Sequence, residues 1–384
     1  MPDQRNPLRQ YQEGNEWKAV FSYIRDKAGW KGFGMLAKIA LSSVNPYTGR
    51  MRGLKGPLYA GWDLSYECNA RCIHCSRWHD HDAHEETLSF EEICRVAREL
   101  KETGVRFICL AGGEPLLIEK LPEIIRYMKG LGLITSLCTN GALLADRAED
   151  LISSGLDHII VSMDGNARSH DHLRGMQGFF RLAEKGIDIV IGKRSKNQPS
   201  VSVRMLLHED NIEDIPLLVS RWGKTGDGIF LQPLHSGTHN LYTMNGLRHI
   251  SSTSRLKMIL EMTGLKANFY NSLMIDYLED PERFQRLPCL AGHFVVRIAP
   301  NGNVYPCVEQ LDLAGNLRRQ SFPEIWHSEL FGSIRKKLAN KKTCSCFYND
   351  MFMNVYLWKA HARIPVLRRI LSSRFEPAKG GGFD

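Results

Sequence analysis

The sequence predicts an α/β fold built on a parallel sheet, and two observations predict it. From about residue 58, short β-rich runs alternate with runs of helical period, the order expected of βα units. Glycines stand where the intervening helices should end, at Gly104, Gly132 and Gly155, each able to take the left-handed conformation that closes a helix.

Taken in order, strands are expected over 59–66, 106–111, 134–139, 158–163, 201–207 and 228–234. Helical periodicity fills the spaces over 90–103, 121–131, 145–154, 179–185 and 212–222, and a sixth helix is expected over 256–262. The polar stretch 193–200 reads as a loop before the fifth strand, and 236–248 as another after the sixth. Beyond residue 262 the alternation stops and cysteines return at 289, 307, 344 and 346, which puts a domain boundary near 265–285. Asn301-Gly302 between 296–298 and 303–305 is a hairpin signal.

A chain of 384 residues that is 43% hydrophobic buries a sizeable core, which excludes disorder and allows one large domain with a smaller appendage. It has no uninterrupted apolar run of about eighteen residues, and its first residues lack the apolar region of a signal peptide, so a cytoplasmic protein is expected. Ten cysteines without an export signal read as reduced thiols, and their clustering as metal binding. The net charge of +8 is uneven: residues 1–56 carry ten Lys or Arg against four acids, and residues 331–384 carry eleven against three. Apolar residues such as Met35, Ile39, Trp358 and Leu367 lie among these charges, a pattern that suits helices on a membrane surface or helices packed on the protein's own body. Solubility accounts for the basic ends, peripheral membrane contact is the alternative, and no nucleic-acid partner is expected.

Directly after the first strand stands Cys68-Asn-Ala-Arg-Cys72-Ile-His-Cys75. Three thiolates on one tight loop bind three irons of a 4Fe-4S cube and leave the fourth open to a substrate. A structural zinc ion would need a fourth ligand, for which His74 and His79 are candidates. The place of the loop, at the C-terminal end of a parallel strand, is where active sites of α/β barrels gather. One βα unit later comes Gly112-Gly113-Glu114-Pro115, in which two glycines let the main chain approach a ligand and a carboxylate suits a bound cation. The next two strands end in Thr139-Asn140-Gly141 and Ser162-Met163-Asp164-Gly165, and Arg174 follows in HDHLRGMQGF; singly, each has an ordinary turn reading.

In this order the motifs resemble the radical S-adenosylmethionine (SAM) superfamily, over residues 59 to about 347. The resemblance implies a partial (βα)6 TIM-type barrel over 58–265, with a 4Fe-4S cluster on Cys68, Cys72 and Cys75 whose open iron chelates SAM. One electron, from a flavodoxin- or ferredoxin-type reductant, then yields a 5'-deoxyadenosyl radical that takes hydrogen from substrate. The same resemblance assigns SAM contacts to His74, Gly112, Gly113, Glu114, Asn140, Ser162, Asp164 and Arg174. His74 stands where the family usually has an aromatic residue.

Cys289, Cys307, Cys344 and Cys346 offer a closed four-thiolate site, suited to electron transfer or structure, and zinc is satisfied by the same set. The spacing C-x12-G-x4-C over 289–307 resembles the SPASM and twitch extensions of radical SAM enzymes. With only one further cysteine pair, the shorter twitch type over 266–350 with one auxiliary 4Fe-4S cluster fits, although Cys344-Ser-Cys346 departs from the usual C-x2-C. Residues 1–57 and 351–384 are then basic extensions. Glu309 lies near where some relatives carry a catalytic carboxylate, and a solvated glutamate is the other reading. Gln232, His235 and Tyr66 are further candidates at strand ends, and Cys94, Cys109 and Cys138 read as buried core residues.

Relatives of this kind include dehydrogenases of small molecules, maturases of ribosomal peptides, and enzymes of cofactor or lipid assembly. Peptide maturases often carry a recognition domain of about eighty residues before the barrel. The expected substrate is therefore a small-molecule or lipid-like biosynthetic intermediate, with a ribosomal peptide as the alternative. A non-catalytic iron-sulfur electron carrier is a further alternative, against which Gly112-Gly113-Glu114-Pro115 speaks.

Overall fold

The computed structural model describes residues 43–45, 50–52, 55–76, 86–196, 198–223, 227–234, 247–265, 269–282, 289, 291–340 and 347. β1 (Ser43–Asn45) and β2 (Arg50–Arg52) form a separate antiparallel pair. The main sheet contains β3 (Tyr59–Asp63), β4 (Phe107–Ala111), β5 (Ile134–Thr139), β6 (His158–Ser162), β7 (Ser200–Leu207), β8 (Ile229–Pro233), β9 (Val295–Ile298), β10 (Asn303–Tyr305) and β11 (Gly315–Asn316). Its order is β11-β10-β9-β3-β4-β5-β6-β7-β8, with no further strand on either edge among the described residues. The six expected strands are β3 to β8, and each pairs in parallel with the next.

The helices are α1 (Phe90–Thr103), α2 (Leu121–Gly130), α3 (Leu144–Ser153), α4 (Ala167–Arg174), α5 (Phe179–Lys193), α6 (Ile215–Trp222), α7 (Thr253–Met262), α8 (Phe269–Glu279), α9 (Phe322–His327) and α10 (Glu329–Asn340). Local chemistry sets their ends. Ser89 and Glu92 form a reciprocal capping box at the start of α1, and Gly104 closes it with φ of 117°. α5 runs on to Lys193, past the expected stop at 185, because Gly186 is a contact point: a Cβ there would lie 2.6 Å from the Leu144 Cβ of α3. The segment expected as one helix over 212–222 is a 3-10 turn (Glu209–Asp214) followed by α6, whose first turn holds Pro216. α4, unpredicted from the sequence, starts at Asn166, whose side chain accepts from the amides of Arg168 and Ser169.

Strand alternation sorts the two faces of the sheet. Ala60, Trp62, Ile108, Leu110, Leu137 and Val161 pack with α1, α2, α3 and α5 in one apolar core. Each such side chain, fully buried, contributes about 1.5–3 kcal/mol if of Val, Leu or Ile size. The opposite, inner face carries Asp63, Cys109, Cys138, His158, Arg204 and Gln232, so it is polar where the helix side is apolar.

The expected hairpin is present as β9 and β10, paired antiparallel with Val304 opposite Ile298 and Gly302 at φ of 86°. The pattern gave no sign that β9 would also pair in parallel with β3, Tyr59 opposite Val295 through Trp62 opposite Ile298. The first barrel strand would otherwise be an exposed edge, and β9 covers it.

Candidate active site

The cluster loop leaves β3 and is tied to the rest of the protein by its backbone. The amides of Arg71 and Ile73 donate to the carbonyls of Arg174 (3.1 Å) and Leu173 (3.0 Å), so the loop rests on the C-terminal turn of α4. Gly175 makes this approach possible: it sits at φ of 66°, and a Cβ there would lie 2.2 Å from the Arg71 carbonyl oxygen. The Arg71 guanidinium folds back onto the carbonyls of Cys68 and Ala70 at 2.8 and 2.9 Å.

Cys72 packs in one cluster with Ala70, Ala142 and Phe179, and Cys68 and Cys75 lie half-buried against it. Burial pushes the Cys68 thiol up to about 11, and the charges of Cys72, Glu114 and Cys75 add to this against the Ala70 amide. Burial also raises Cys72, opposed by Arg174, whose Nη1 lies 3.8 Å from its sulfur. Among the described residues the thiols are not gathered into a ligand set, with or without a further His, Asp or Glu. Buried thiols on one loop beside a guanidinium fit a multinuclear iron centre, which would take them as thiolates. His74 is buried in the same loop, and burial together with Arg174 lowers its imidazole to about 4, so it is neutral at pH 7.

The Gly112-Gly113-Glu114 turn presses against the segment entering the cluster loop. Amides of Gly113 and Glu114 donate to the carbonyls of Ser65 and Glu67, both at 2.7 Å. A Cβ on Gly113 would lie 2.0 Å from the Glu67 oxygen, and one on Gly112, at φ of 133°, 2.6 Å from the Ser65 oxygen. The buried Glu114 carboxylate accepts from Leu116 N (3.0 Å), Thr139 Oγ1 (2.7 Å) and Asn140 N (2.8 Å). It therefore joins the ends of β4 and β5. Burial raises its pKa, and those three donors work the other way. Asn140 Nδ2 donates to Asn69 Oδ1 at 2.7 Å, which links the β5 end to the cluster loop.

Asp164 and Arg174 form a buried ion pair at 2.6 Å. Asp164 Oδ1 also accepts from Leu206 N, and its backbone amide donates to His170 Nδ1 at 3.1 Å. Asn211 Nδ2 bridges the carbonyls of Asp164 and Leu206. Arg174 thus faces an aspartate of this chain on one side and a cluster thiol on the other. Ser162 is half-buried at the end of β6, opposite Arg204 in the register. His170, His208 and Asn211 were missed from the sequence; the Asn166 cap and Gly175 stop of α4 were the readable signals for this neighbourhood.

On the inner face, Asp63 and Arg297 pair at 2.8 Å, both buried, and Arg297 lies over the Tyr305 ring. Of the cysteines expected as buried core residues, Cys109 is buried and Cys138 half-buried; both sit on this inner face with sulfurs 3.4 Å apart, and Arg204 Nη1 reaches Cys138 Sγ at 4.0 Å. The hydrogen bond from Cys138 holds Cys109 well below an ordinary thiol, and Cys138 is held up in turn. Cys94 is half-buried on α1.

The second cysteine set is partly described. Gly292 N donates to both Val295 O and Pro306 O at 3.0 Å, joining the arms that carry Cys289 and Cys307. The Cys289 sulfur accepts from Ala291 N at 3.4 Å, and Cys307 is buried. Cys344, Cys346 and His235 lie outside the described residues. Gln232 Nε2 donates to the carbonyl of Phe347 at 2.5 Å. Glu309 is buried, at 2% exposure, so the solvated reading of its side chain does not hold. Tyr66 is buried as well. The basic, apolar stretches around 33–41 and 357–371 also lie outside the described residues. Among the described residues no helix is long and apolar enough to cross a membrane.

A model of the radical SAM superfamily matches residues 63–221, and a model of the iron-sulfur cluster-binding SPASM domain matches residues 289–347. The AdoMet-dependent heme synthase of Methanosarcina barkeri is 28% identical over 317 residues, covering 77% of this chain and 90% of that protein. The Fe-coproporphyrin III synthase of the same organism is 32% identical over 311 residues, 73% of this chain and 76% of that protein. Mycofactocin maturase MftC of Mycolicibacterium smegmatis is 28% identical over 312 residues, 78% of each. Among solved structures, Streptococcus suis SuiB bound to S-adenosylmethionine superposes with a TM-score of 0.56 at 17% identity, over 84% of this chain and 78% of that one, a likeness of fold.

Proposed function

The chain belongs to the radical SAM superfamily and carries its SPASM-type extension, and we propose that it takes hydrogen from a carboxylate-bearing small molecule of the tetrapyrrole class seated on the inner face of the sheet. It is an enzyme that uses SAM, 4Fe-4S clusters, a reductant and a substrate. The observation that carries the proposal is the inner face itself, where Asp63, His158, Arg204, Gln232 and Arg297 make a polar surface beside the strand ends that hold the cluster loop, Arg297 being paired there with Asp63. Two relatives named as synthases of heme and Fe-coproporphyrin III agree with this class of molecule, since those products bear carboxylates. A peptide is the second reading, favoured by the likeness to MftC to the same degree.

When bound, the cluster on Cys68, Cys72 and Cys75 supplies the electron that cleaves SAM to a 5'-deoxyadenosyl radical. The chain's own residues supply the rest. Arg174 favours the Cys72 thiolate and is itself held by Asp164. Glu114 fixes the β4 and β5 ends, so the glycine turn and Asn140 stay in register beneath the loop and in place to meet SAM, together with His74, Ser162 and Asp164. A flavodoxin- or ferredoxin-type protein serves as reductant, and Glu309, buried beside Cys307, stands as candidate base. A cytoplasmic location completes the reading, with peripheral contact of the basic ends with an anionic membrane as the alternative; liposomes that float free of the protein would remove that alternative.

The test is anaerobic reconstitution with iron and sulfide, then dithionite and SAM, with 5'-deoxyadenosine measured alone, with Fe-coproporphyrin III and with a peptide fraction. Stimulation by the porphyrin supports the proposal, and stimulation by the peptide fraction alone replaces it with the second reading. Cys72→Ala abolishes 5'-deoxyadenosine in every arm.

A further inference from the structure

Among the described residues, the other buried arginines meet aspartates: Arg174 pairs with Asp164 and Arg297 with Asp63. Arg335 on α10 departs from that rule. Its side chain is buried, with 7% of the residue exposed. Its guanidinium lies between the rings of Trp326 and Phe331, 4.2 Å from each centroid. Its Nε donates to the Gly292 carbonyl at 2.5 Å and its Nη2 to the Trp326 carbonyl at 2.8 Å. Among the described residues no carboxylate meets it, so a full positive charge sits in the interior with only carbonyl dipoles and ring faces to answer it. That is a costly arrangement unless an anion stands nearby.

The loop it grips indicates which anion. Gly292, at φ of 73°, clamps the arms of Cys289 and Cys307 through its amide while its carbonyl takes Arg335. The clamp is close-fitting: a Cβ on Gly292 would meet the Phe331 ring at 3.2 Å, Arg335 Cγ at 3.3 Å and Pro306 Cβ at 3.4 Å. The Cys289 sulfur takes the amide of Ala291, the residue before Gly292, so thiol and guanidinium engage successive residues of one loop. His293, next along, is fully buried with both ring nitrogens unpartnered, and a neutral imidazole supplies no counter-charge.

We infer that Arg335 is the buried counter-cation of the auxiliary 4Fe-4S cluster, placed by the Gly292 clamp so that it raises that cluster's reduction potential. The inference rests on Cys289 and Cys307 holding the auxiliary cluster of the proposed function. A cluster bound by thiolates carries net negative charge, and reduction adds one more electron to it. A nearby cation therefore favours the reduced form, more strongly in the interior than in water. Trp326 and Phe331 keep water from screening it.

The experiment uses the full chain, reconstituted anaerobically, with Arg335→Met, Arg335→Lys and, as a surface control, Arg98→Met. Both clusters are followed by EPR during a potentiometric titration. In Arg335→Met the reduced-to-oxidised ratio of the auxiliary cluster, read at the wild-type midpoint, falls about tenfold, a shift of about 59 mV for one electron. The SAM-cleaving cluster stays where it was, and Arg335→Lys keeps most of the wild-type potential. Thermal melts give an independent readout: Arg335→Met lowers the melting temperature of the loaded protein but not of protein stripped of iron, where the unanswered charge is a liability. An unchanged auxiliary potential in Arg335→Met overturns the inference, as does equal destabilisation of loaded and stripped protein. Should Arg335→Met load no auxiliary cluster, Arg335→Lys decides: auxiliary-cluster loading at the wild-type level supports the inference, and no loading overturns it. Wild-type protein with a single cluster signal would instead remove the auxiliary-cluster reading itself.

Discussion

Asp63 Oδ2 accepts a 2.8 Å hydrogen bond from Nε of Arg297, across 234 residues of sequence. Asp63 ends the strand that feeds the cluster loop, and Arg297 lies on the hairpin strand that precedes Cys307. The pair therefore fastens the auxiliary region to the first strand of the barrel, on the polar face where substrate is proposed to sit. Asp63→Asn leaves a buried guanidinium short of its anion and should cost about 3–5 kcal/mol in urea unfolding. The double variant Asp63→Leu/Arg297→Met should recover most of the loss, and a double variant no more stable than the single one would show that the pair is not the source.

Asp164 should impose an acid limb on stability. Burial opposes its charge, yet Arg174 holds the carboxyl below its usual value. A carboxyl depressed in the folded state stabilises fully above the unfolded value, about 3.9, and that stability drains away as pH falls through the lower folded value. Asp164→Asn should thus be less stable than wild type at pH 6, with the gap narrowing as pH falls below the unfolded value and through the lower folded one. A gap independent of pH would mean that packing rather than charge is lost.

Gly113→Ala should disable cluster loading with the sheet intact. The added methyl falls on the Glu67 carbonyl, in backbone that cannot swing aside like a flexible side chain. Far-UV circular dichroism should stay near wild type while iron and sulfide content per chain falls by roughly half or more, the share of the first cluster. Full loading of Gly113→Ala would show that the loop has slack.

The inner-face thiols should titrate unlike the cysteine on α1. Cys109 should be alkylated by iodoacetamide with a midpoint below that of an ordinary thiol, because the contact with Cys138 favours its thiolate. Burial moves Cys94 the other way. Peptide mapping by mass spectrometry reads each site, and Cys138→Val should shift the Cys109 midpoint upward. No shift would mean that the 3.4 Å sulfur contact does not govern the thiol.

Much of this protein was determined by sequence alone. Six strands, the hairpin at Asn301-Gly302 and the loops carrying Cys68 to Cys75 and Gly112 to Glu114 follow from local periodicity and turn chemistry, which act over a few residues. Tertiary structure decided what local pattern cannot encode. A glycine that ends one helix and one that lets two helices touch look alike in sequence, so Gly186 became legible only once Leu144 stood against it. Cys109 and Cys138 became a pair only when β4 met β5, and Asp63 found Arg297 only when β9 closed the edge of β3. Arg335 reads as one basic residue among many in a basic tail. Its burial between two aromatic rings, against the carbonyl that joins two cysteine arms, arises from packing between segments far apart in the chain.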